Sequence, residues 1–151
     1  MSGVATNPPK TLAELISLAE SNNNPHAVRY EQWFHPSRAA IDNCKKSNGG
    51  AICTDQTAQE ICKFSYGEFQ IMGGTLYELT YHDSIFNFMN SSENQYDMFI
   101  EFISSRKIDY SLFDILHNPS HMYNFAHHYN GDAATYTAHL FDVFKRAGGV
   151  L

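Results

Sequence analysis

Residues 18–25 of the chain read Leu-Ala-Glu-Ser-Asn-Asn-Asn-Pro, which is the pattern of a helix end followed at once by a turn. Thr11 and Glu14 have the spacing of a capping box, so the helix is predicted to begin directly after Thr11. Asparagine favours turns, and the residue before Pro25 avoids helical backbone angles. The helix is therefore predicted to end with Glu20 in its last turn.

The position of Glu20 on this helix suggests a chemical role. Glu20 lies four residues after Ile16, close to an apolar stripe formed by Leu12, Leu15, Ile16 and Ala19. A carboxylate at an apolar margin has its charged form disfavoured, so we expect its pKa to rise. A general acid that works near neutral pH needs such a pKa. On position alone, a glutamate that points into water is the alternative.

Composition and charge exclude several classes of function. The 151 residues suffice for one domain with a core, and the net charge is −6. Binding to nucleic acid needs a clustered basic surface, so we expect no nucleic-acid partner. We also expect that the protein does not insert into a membrane and that it is a monomer. The 11 Phe and 9 Tyr fill the core in the simplest interpretation, although surplus Tyr would suit a groove that stacks sugar rings.

The cysteines and the N-terminus bear on the compartment. Cys44, Cys53 and Cys62 form no Cys-x-x-Cys pair, and the eight histidines form no His-Glu-x-x-His motif, so no metal and no cofactor are predicted. Three thiols favour folding in a reducing compartment, with one disulfide plus a free thiol as the alternative. The first ten residues lack an apolar signal core. We therefore expect synthesis in the cytoplasm without a signal peptide.

Helical periodicity dominates the rest of the chain. Residues 1–10 are predicted to form a flexible leader, and residues 11–151 a single, mainly α-helical domain of many short helices. At most a small β-hairpin or extended segment is expected near residues 26–34. Caps are predicted at Thr54, Ser120 and Asp132, and a buried stripe at Tyr96, Phe99, Ile100 and Ile103.

Two further stretches combine polar groups with apolar surroundings. In residues 64–73, Ser65 and Gln70 supply hydrogen-bonding groups and Met72 can line a groove. A buried Gln needs a partner, so a helix with satisfied polar positions is an equally good interpretation. In residues 125–131, Tyr129 and Asn130 end a helix, and either contact a ligand or simply form the turn.

Together these stretches resemble the three motifs of lytic transglycosylases with a goose-type-lysozyme-like fold. The motifs are Glu20-Ser21-x-x-Asn24-Pro25, Ser65-x-Gly67-x-x-Gln70-Ile71 and Ala126-x-x-Tyr129-Asn130-Gly131, in that order. The chain departs from the family pattern by a long segment between the first two motifs and by Asn23 and Glu68 inside them. Residues 64–73 also resemble the muramidase domains of phage endolysins.

The resemblance implies cleavage of peptidoglycan glycan strands between N-acetylmuramic acid and N-acetylglucosamine. Glu20 would protonate the leaving oxygen and then act as base while the sugar closes an anhydro ring. The resemblance further implies that Ser65 and Gln70 position the substrate and Met72 lines the groove. It implies that Tyr129 orients Glu20 and that Asn130 contacts an acetamido group.

Two alternatives to a lytic transglycosylase stay open from the sequence. A hydrolytic muramidase would need a second carboxylate, for which Glu31 and Glu68 are the candidates, with Asp42 and Asp55 behind them. A non-catalytic glycan-binding or virion structural module is the other. The resemblance also implies a phage lytic protein that acts on the cell wall or in the periplasm, either as an endolysin or as part of a virion.

Overall fold

The computed structural model describes residues 7–151, so the first six residues of the predicted leader lie outside the described part. Residues 7–10 form no regular secondary structure, and Pro9 is buried. The protein is 60% helical, with nine α-helices and a small three-stranded sheet in residues 7–151. The mainly α prediction is confirmed, while the single-domain arrangement stays a prediction.

The nine helices are short and follow one another closely. They are α1 (Leu12–Ser21), α2 (Arg38–Ser47), α3 (Asp55–Cys62), α4 (Gly73–Glu78), α5 (Ile85–Met89), α6 (Ser92–Ser105), α7 (Leu112–His117), α8 (Pro119–Tyr129) and α9 (Ala133–Arg146). The strands are β1 (Val28–Tyr30), β2 (Phe64–Tyr66) and β3 (Ile71–Met72), and Gly50–Ile52 form a 3-10 turn. No helix of residues 7–151 is long and apolar enough to cross a membrane.

The chain divides into two compact units. The central unit comprises residues 20–102, and the terminal unit comprises the described residues 7–19 together with residues 103–151. The boundaries fall inside α1 and α6, so both helices contribute residues to both units.

The central unit contains the sheet, in the order β1-β2-β3 with antiparallel pairing throughout. Arg29 pairs with Ser65, and Ser65 pairs with Met72. The extended segment predicted near residues 26–34 is therefore β1, whereas the hairpin of β2 and β3 was not predicted. Its turn needs Gly67, because the backbone has φ of 80° there, where side chains are disfavoured.

Helices α2 and α3 of the central unit bury small and sulfur-containing side chains. Ala40 and Cys44 of α2 are fully buried, as are Ala58 and Cys62 of α3. These residue pairs are spaced four apart, which places each pair on one helix face. Cys44, Cys53 and Cys62 are all free, in agreement with the prediction of reduced thiols. Burial raises the pKa of the Cys53 thiol.

Helix α6 buries a different face from the predicted one. Tyr96 and Ile100 were expected in the buried stripe but are 48% and 40% exposed. The buried positions of α6 are Gln95, Met98, Phe99, Phe102 and Ile103. The prediction was wrong for those two residues because the true stripe begins with a polar residue.

The terminal unit is a helical core without a strand in its described residues. Leu15, Ile16, Phe125 and Leu140 are fully buried in it. The predicted cap Asp132 is confirmed, because its side chain accepts from Thr135 N at 3.2 Å. Helix α8 is capped by Asn118 rather than by the predicted Ser120, since Pro119 can occupy the first helical position.

Candidate active site

Glu20 occupies the last turn of α1 and is half-buried, at the position predicted for it. The helix ends one residue later, because Asn22 and Asn23 take φ of 54° and 62°. Asparagine tolerates this left-handed conformation better than most residues. Asn24 then closes the turn, and its side-chain oxygen accepts from His26 N at 2.9 Å. The asparagine run thus fixes the backbone immediately after Glu20.

A hydrogen bond joins the first and second motifs. Ser21 Oγ donates to the carbonyl oxygen of Glu68 at 2.8 Å and accepts from Asn24 N at 3.1 Å. The residue that follows Glu20 is therefore tied to the turn between β2 and β3. The structure brings the two motifs together within the central unit, although 47 residues separate Ser21 from Glu68.

Gln95 of α6 makes the second connection between these motifs, and no sequence motif indicated it. Its side chain is completely buried. Gln95 Oε1 accepts from Glu68 N at 2.8 Å, while Nε2 donates to Pro25 O at 2.9 Å and Phe88 O at 3.0 Å. A Cβ on Gly67 would lie 2.5 Å from Gln95 Oε1. The side-chain amide of Gln95 therefore fits between the asparagine turn, residues 22–25, and the β2–β3 turn.

Ser65 and Gln70, predicted to position substrate, bond to each other and to the backbone of the sheet. Ser65 Oγ donates to Gln70 Oε1 at 2.7 Å, and Gln70 Nε2 donates to Gly67 O at 2.9 Å and Ala27 O at 3.1 Å. Ser65 is buried, and Gln70 has a φ of 51°. Met72 is half-buried at the end of β3. These partners give both polar residues a role in shaping the turn that carries Glu68.

The candidate second carboxylates differ in their surroundings. Both oxygens of Glu31 accept hydrogen bonds, one from Arg29 Nε at 2.5 Å and the other from Trp33 Nε1 at 2.9 Å. The Glu31 side chain is only 16% exposed. Glu68 is half-buried, and its backbone is fixed by Ser21 and Gln95. The Glu31 carboxylate is thus hydrogen-bonded to Arg29 and Trp33. Glu68 instead lies on the turn that is hydrogen-bonded to the end of α1.

Asp42 and Asp55 form ion pairs with basic side chains. Arg38 bridges them, with Nη2 2.7 Å from Asp42 Oδ1 and Nη1 2.8 Å from Asp55 Oδ2. Lys45 Nζ also lies 2.7 Å from Asp55 Oδ1. Hydrogen bonds from Arg38 and Lys45 hold the pKa of Asp55 well below its usual range. These carboxylates form a surface ion-pair network.

The third motif lies in the terminal unit. Tyr129 is half-buried and its ring stacks between those of Phe125 and Tyr136, with centroid distances of 5.2 and 6.0 Å. Asn130 is exposed at the end of α8, and its side-chain oxygen accepts from Asp132 N at 3.3 Å. Asn130 therefore supports the turn into α9, as one of the two interpretations of this stretch predicted.

The chain matches a family of known proteins. The family model described as Muramidase, N-acetylmuramidase, matches residues 15–147. This match spans nearly all of the chain, so the chain belongs to the N-acetylmuramidase family, whose members are peptidoglycan-degrading glycosidases. The predicted resemblance to peptidoglycan-cleaving muramidases is thereby confirmed.

A curated relative supports the same assignment. The chain is 30% identical over 131 residues to the endolysin of Enterobacteria phage PRD1. The aligned region covers 80% of this chain and 86% of that protein. No solved structure gives a significant match to the chain.

Proposed function

We propose that the protein is an endolysin that cleaves the glycosidic bond between N-acetylmuramic acid and N-acetylglucosamine, with Glu20 as the general acid. The single observation that carries this proposal is the fixed environment of Glu20. The asparagine turn follows it directly, and Ser21 ties the end of its helix to the β2–β3 turn at 2.8 Å. A general acid must be held in place relative to the bond that it protonates.

Lytic transglycosylation is the reaction that the carboxylate environments favour. It needs one carboxylate, because the sugar's own hydroxyl attacks the oxocarbenium-like centre and Glu20 serves as acid and then base. Among the predicted second carboxylates, Glu31 already accepts two hydrogen bonds and Asp42 and Asp55 are paired with Arg38. In this proposal Ser65 and Gln70 shape the β2–β3 turn and Met72 contacts the substrate. The roles expected for Tyr129 and Asn130, which lie in the terminal unit, stay predictions.

Hydrolysis is the second candidate, and one observation favours it. The bond from Ser21 Oγ to Glu68 O brings the Glu68 backbone beside the residue that follows Glu20. A pair of carboxylates on either side of the scissile bond is what hydrolytic glycosidases use. Glu68 would then activate water or stabilise the positive centre, and Glu31 would not.

Mass spectrometry of the fragments from purified peptidoglycan tests both candidates. Wild type, Glu20→Gln and Glu68→Gln would be compared, and each variant's fold checked by circular dichroism and thermal unfolding. Anhydro-muramic ends that vanish in Glu20→Gln and persist in Glu68→Gln would establish transglycosylation. Reducing ends that vanish in both variants would establish hydrolysis with two carboxylates.

Glu60→Gln is the matched control, because Glu60 is an exposed glutamate of α3 in the same unit. It should release the same fragments as the wild type. Full activity of a folded Glu20→Gln variant would contradict the assignment of the general acid. Binding of peptidoglycan by the wild type without any soluble fragment would favour a non-catalytic module instead.

The proposed activity implies a place of action. An enzyme that cleaves these bonds acts on the cell wall, and the relative from phage PRD1 is an endolysin by name. We therefore propose that the protein reaches the wall at the end of a phage infection. Release of fragments by purified protein added to isolated walls tests the wall-directed part of this proposal.

A further inference from the structure

Trp33 is the single tryptophan of the chain, and it is 65% exposed just after β1. Scattered exposed apolar residues are common on protein surfaces. Trp33 differs from them because its polar atom is already bonded: indole Nε1 donates to Glu31 Oε2 at 2.9 Å. What the side chain offers to solvent is therefore the flat, apolar part of the indole.

The indole is held from two directions. Glu31 is itself fixed, since its other oxygen accepts from Arg29 Nε at 2.5 Å. The ring of Phe34 meets the indole edge to face, with centroids 5.8 Å apart and planes at 74°. Phe34 in turn packs directly on the backbone, because a Cβ on Gly74 would overlap its ring. Few side-chain rotamers therefore remain for Trp33, so the side chain loses little conformational entropy when a ligand stacks on it.

Exposed apolar groups continue from Trp33 along β1. Val28 and Tyr30 are 50% and 44% exposed, and they share one side of the strand because side chains alternate. The Tyr30 ring lies 5.0 Å from that of Phe64. Arg29 is 60% exposed beside them. Residues 28–33, here called the β1 surface, thus combine two exposed aromatic rings with one cationic side chain.

We propose that Trp33 is a sugar-stacking subsite for a glycan strand of β-linked N-acetylhexosamines, and that Glu31 is the positioning residue that holds the indole. A pyranose ring has an apolar C–H face that matches an exposed aromatic face, and aromatic side chains dominate the energetics of interfaces. The inference rests on the proposed function for its ligand class. It extends that function by assigning Glu31 to binding rather than to proton transfer.

The subsite predicts a specific kinetic pattern. Trp33→Ala should raise KM for soluble glycan strands about tenfold and leave kcat within about twofold, because uniform binding is lost and the reacting groups are untouched. Trp33→Phe should recover part of the loss, since it restores an aromatic face. Phe113→Ala, at an aromatic residue that is 71% exposed in the terminal unit, is the matched control and should leave KM unchanged.

Glu31 should act through Trp33 alone. Glu31→Ala should raise KM less than Trp33→Ala does, and the double variant should match Trp33→Ala. Glu31→Ala should also lower the fluorescence anisotropy of Trp33, because the indole loses its hydrogen bond. A fall in kcat for folded Glu31→Ala or Glu31→Gln would instead make Glu31 a catalytic carboxylate and contradict the proposal.

Fluorescence tests the subsite without any substitution, since all indole emission comes from Trp33. Adding a four-sugar N-acetylglucosamine oligomer or soluble glycan strands should shift the emission to shorter wavelength and protect it from acrylamide. Unprotected emission at concentrations where calorimetry shows binding would overturn the subsite, and so would a wild-type KM in Trp33→Ala. Absence of any binding by calorimetry would overturn it as well.

The two proposals fail in different ways. If the wild type releases no fragments, the proposed activity is wrong, yet protection of Trp33 by glycan strands would still establish the binding site. If the wild type releases fragments and Trp33 is neither protected nor needed for low KM, the subsite is wrong and the activity stands. Protection by peptides but not by glycans would assign the β1 surface to a protein partner and overturn the proposal.

Discussion

The central unit combines a buried apolar core with polar bonds between distant segments, whereas the terminal unit is held mainly by stacked and buried side chains. In the central unit, Gln95 joins Pro25 to Glu68, and Gln70 joins the β2–β3 turn to Ala27. In the terminal unit, ring stacks recur at Phe113–His117, Tyr110–His121 and Phe125–Tyr129, with centroid distances of 4.2, 4.4 and 5.2 Å.

Charge follows the same division. Residues 20–102 contain five Lys and Arg against eleven Asp and Glu, so this unit carries the whole net charge of −6. The described residues of the terminal unit contain five of each and five of the eight histidines. The net negative charge is therefore local to one unit. The described residues of the terminal unit therefore have no net formal charge when histidine is counted as neutral.

This comparison indicates that a chemical site and a stabilising core can be built by different means in one small chain. Polar bonds are directional, so a network of them fixes the positions of turns such as the one after Glu20. Apolar packing tolerates substitution of similar volume and fixes position less sharply. Substitutions in the two units should therefore separate loss of stability from loss of activity.

The largest effect is expected from Gln95→Leu. Leucine leaves Glu68 N, Pro25 O and Phe88 O without their partner, and each buried unsatisfied group costs about 1–3 kcal/mol, so the loss should be at least about 3 kcal/mol. Urea unfolding would measure it, and specific activity should fall because both turns beside Glu20 lose their common support. Gln59→Leu, at an exposed glutamine of α3, should change stability by less than about 0.5 kcal/mol.

Leu140→Ala in the terminal unit completes this test. Leu140 is fully buried, so its truncation should cost about 2–5 kcal/mol. The folded protein should nevertheless keep its activity per molecule at a temperature well below unfolding. If both variants lose activity in proportion to stability alone, the polar network has no special role and the contrast between the units fails.

An intermediate effect is expected from two glycines that share a left-handed backbone. Gly131, with φ of 95°, has no atom within 4 Å of an added Cβ, so Gly131→Ala should cost only the conformational strain of about 1–2 kcal/mol. Gly67 has φ of 80°, and its added Cβ would lie 2.5 Å from Gln95 Oε1.

Gly67→Ala should therefore cost roughly 1–3 kcal/mol more than Gly131→Ala, because overpacking adds to strain. Denaturant midpoints of the two variants measure the difference directly. Equal losses of stability in the two variants would mean that Gln95 moves aside freely. The close contact between Gly67 and Gln95 would then not contribute to stability.

The smallest effect is expected at the ion pairs of Asp55. Arg38 and Lys45 hold the pKa of this carboxyl below its unfolded value of about 3.9. A lowered folded-state pKa contributes stability that is complete above the unfolded pKa and is lost as the pH falls toward the folded one. Because Asp55 is 47% exposed, the contribution should be small.

Asp55→Asn should accordingly be slightly less stable than the wild type above about pH 5, and the difference should shrink as the pH falls below about 4. Urea midpoints measured from pH 7 to pH 3 would show it, and high salt should reduce it by screening. A difference that is independent of pH and of salt would mean that Asp55 acts through packing instead.

Local signals in the sequence predicted the helices well. The capping residues Thr54 and Asp132 begin α3 and α9, and the asparagine run ends α1 after Glu20, as expected. Strands β2 and β3 have three and two residues, which is too short for an alternating pattern to be recognised. The hairpin is specified instead by its turn at Gly67 and by pairing with β1.

The role of Gln95 could not be read from periodicity. Positions 96, 99, 100 and 103 are all apolar and fit one helix face, while the true face begins with a glutamine and so looked polar. The partners of that glutamine, at Pro25 and Glu68, are 70 and 27 residues away. Contacts of this range depend on the tertiary fold, and so does the bond between Ser21 and Glu68.

The bond between His139 and α1 has a consequence for the order in which the chain folds. His139 Nε2 lies 3.0 Å from the carbonyl oxygen of Ala19, across 120 residues. On the ribosome, residues 20–102 are all available well before α9 is synthesised. The central unit can therefore form early, while residues 12–19 wait for their packing partners until translation is nearly finished. The helix that contains Glu20 would then be among the last elements to complete its packing. A nascent chain truncated before α9 should therefore carry Glu20 on a helix that is only partly packed.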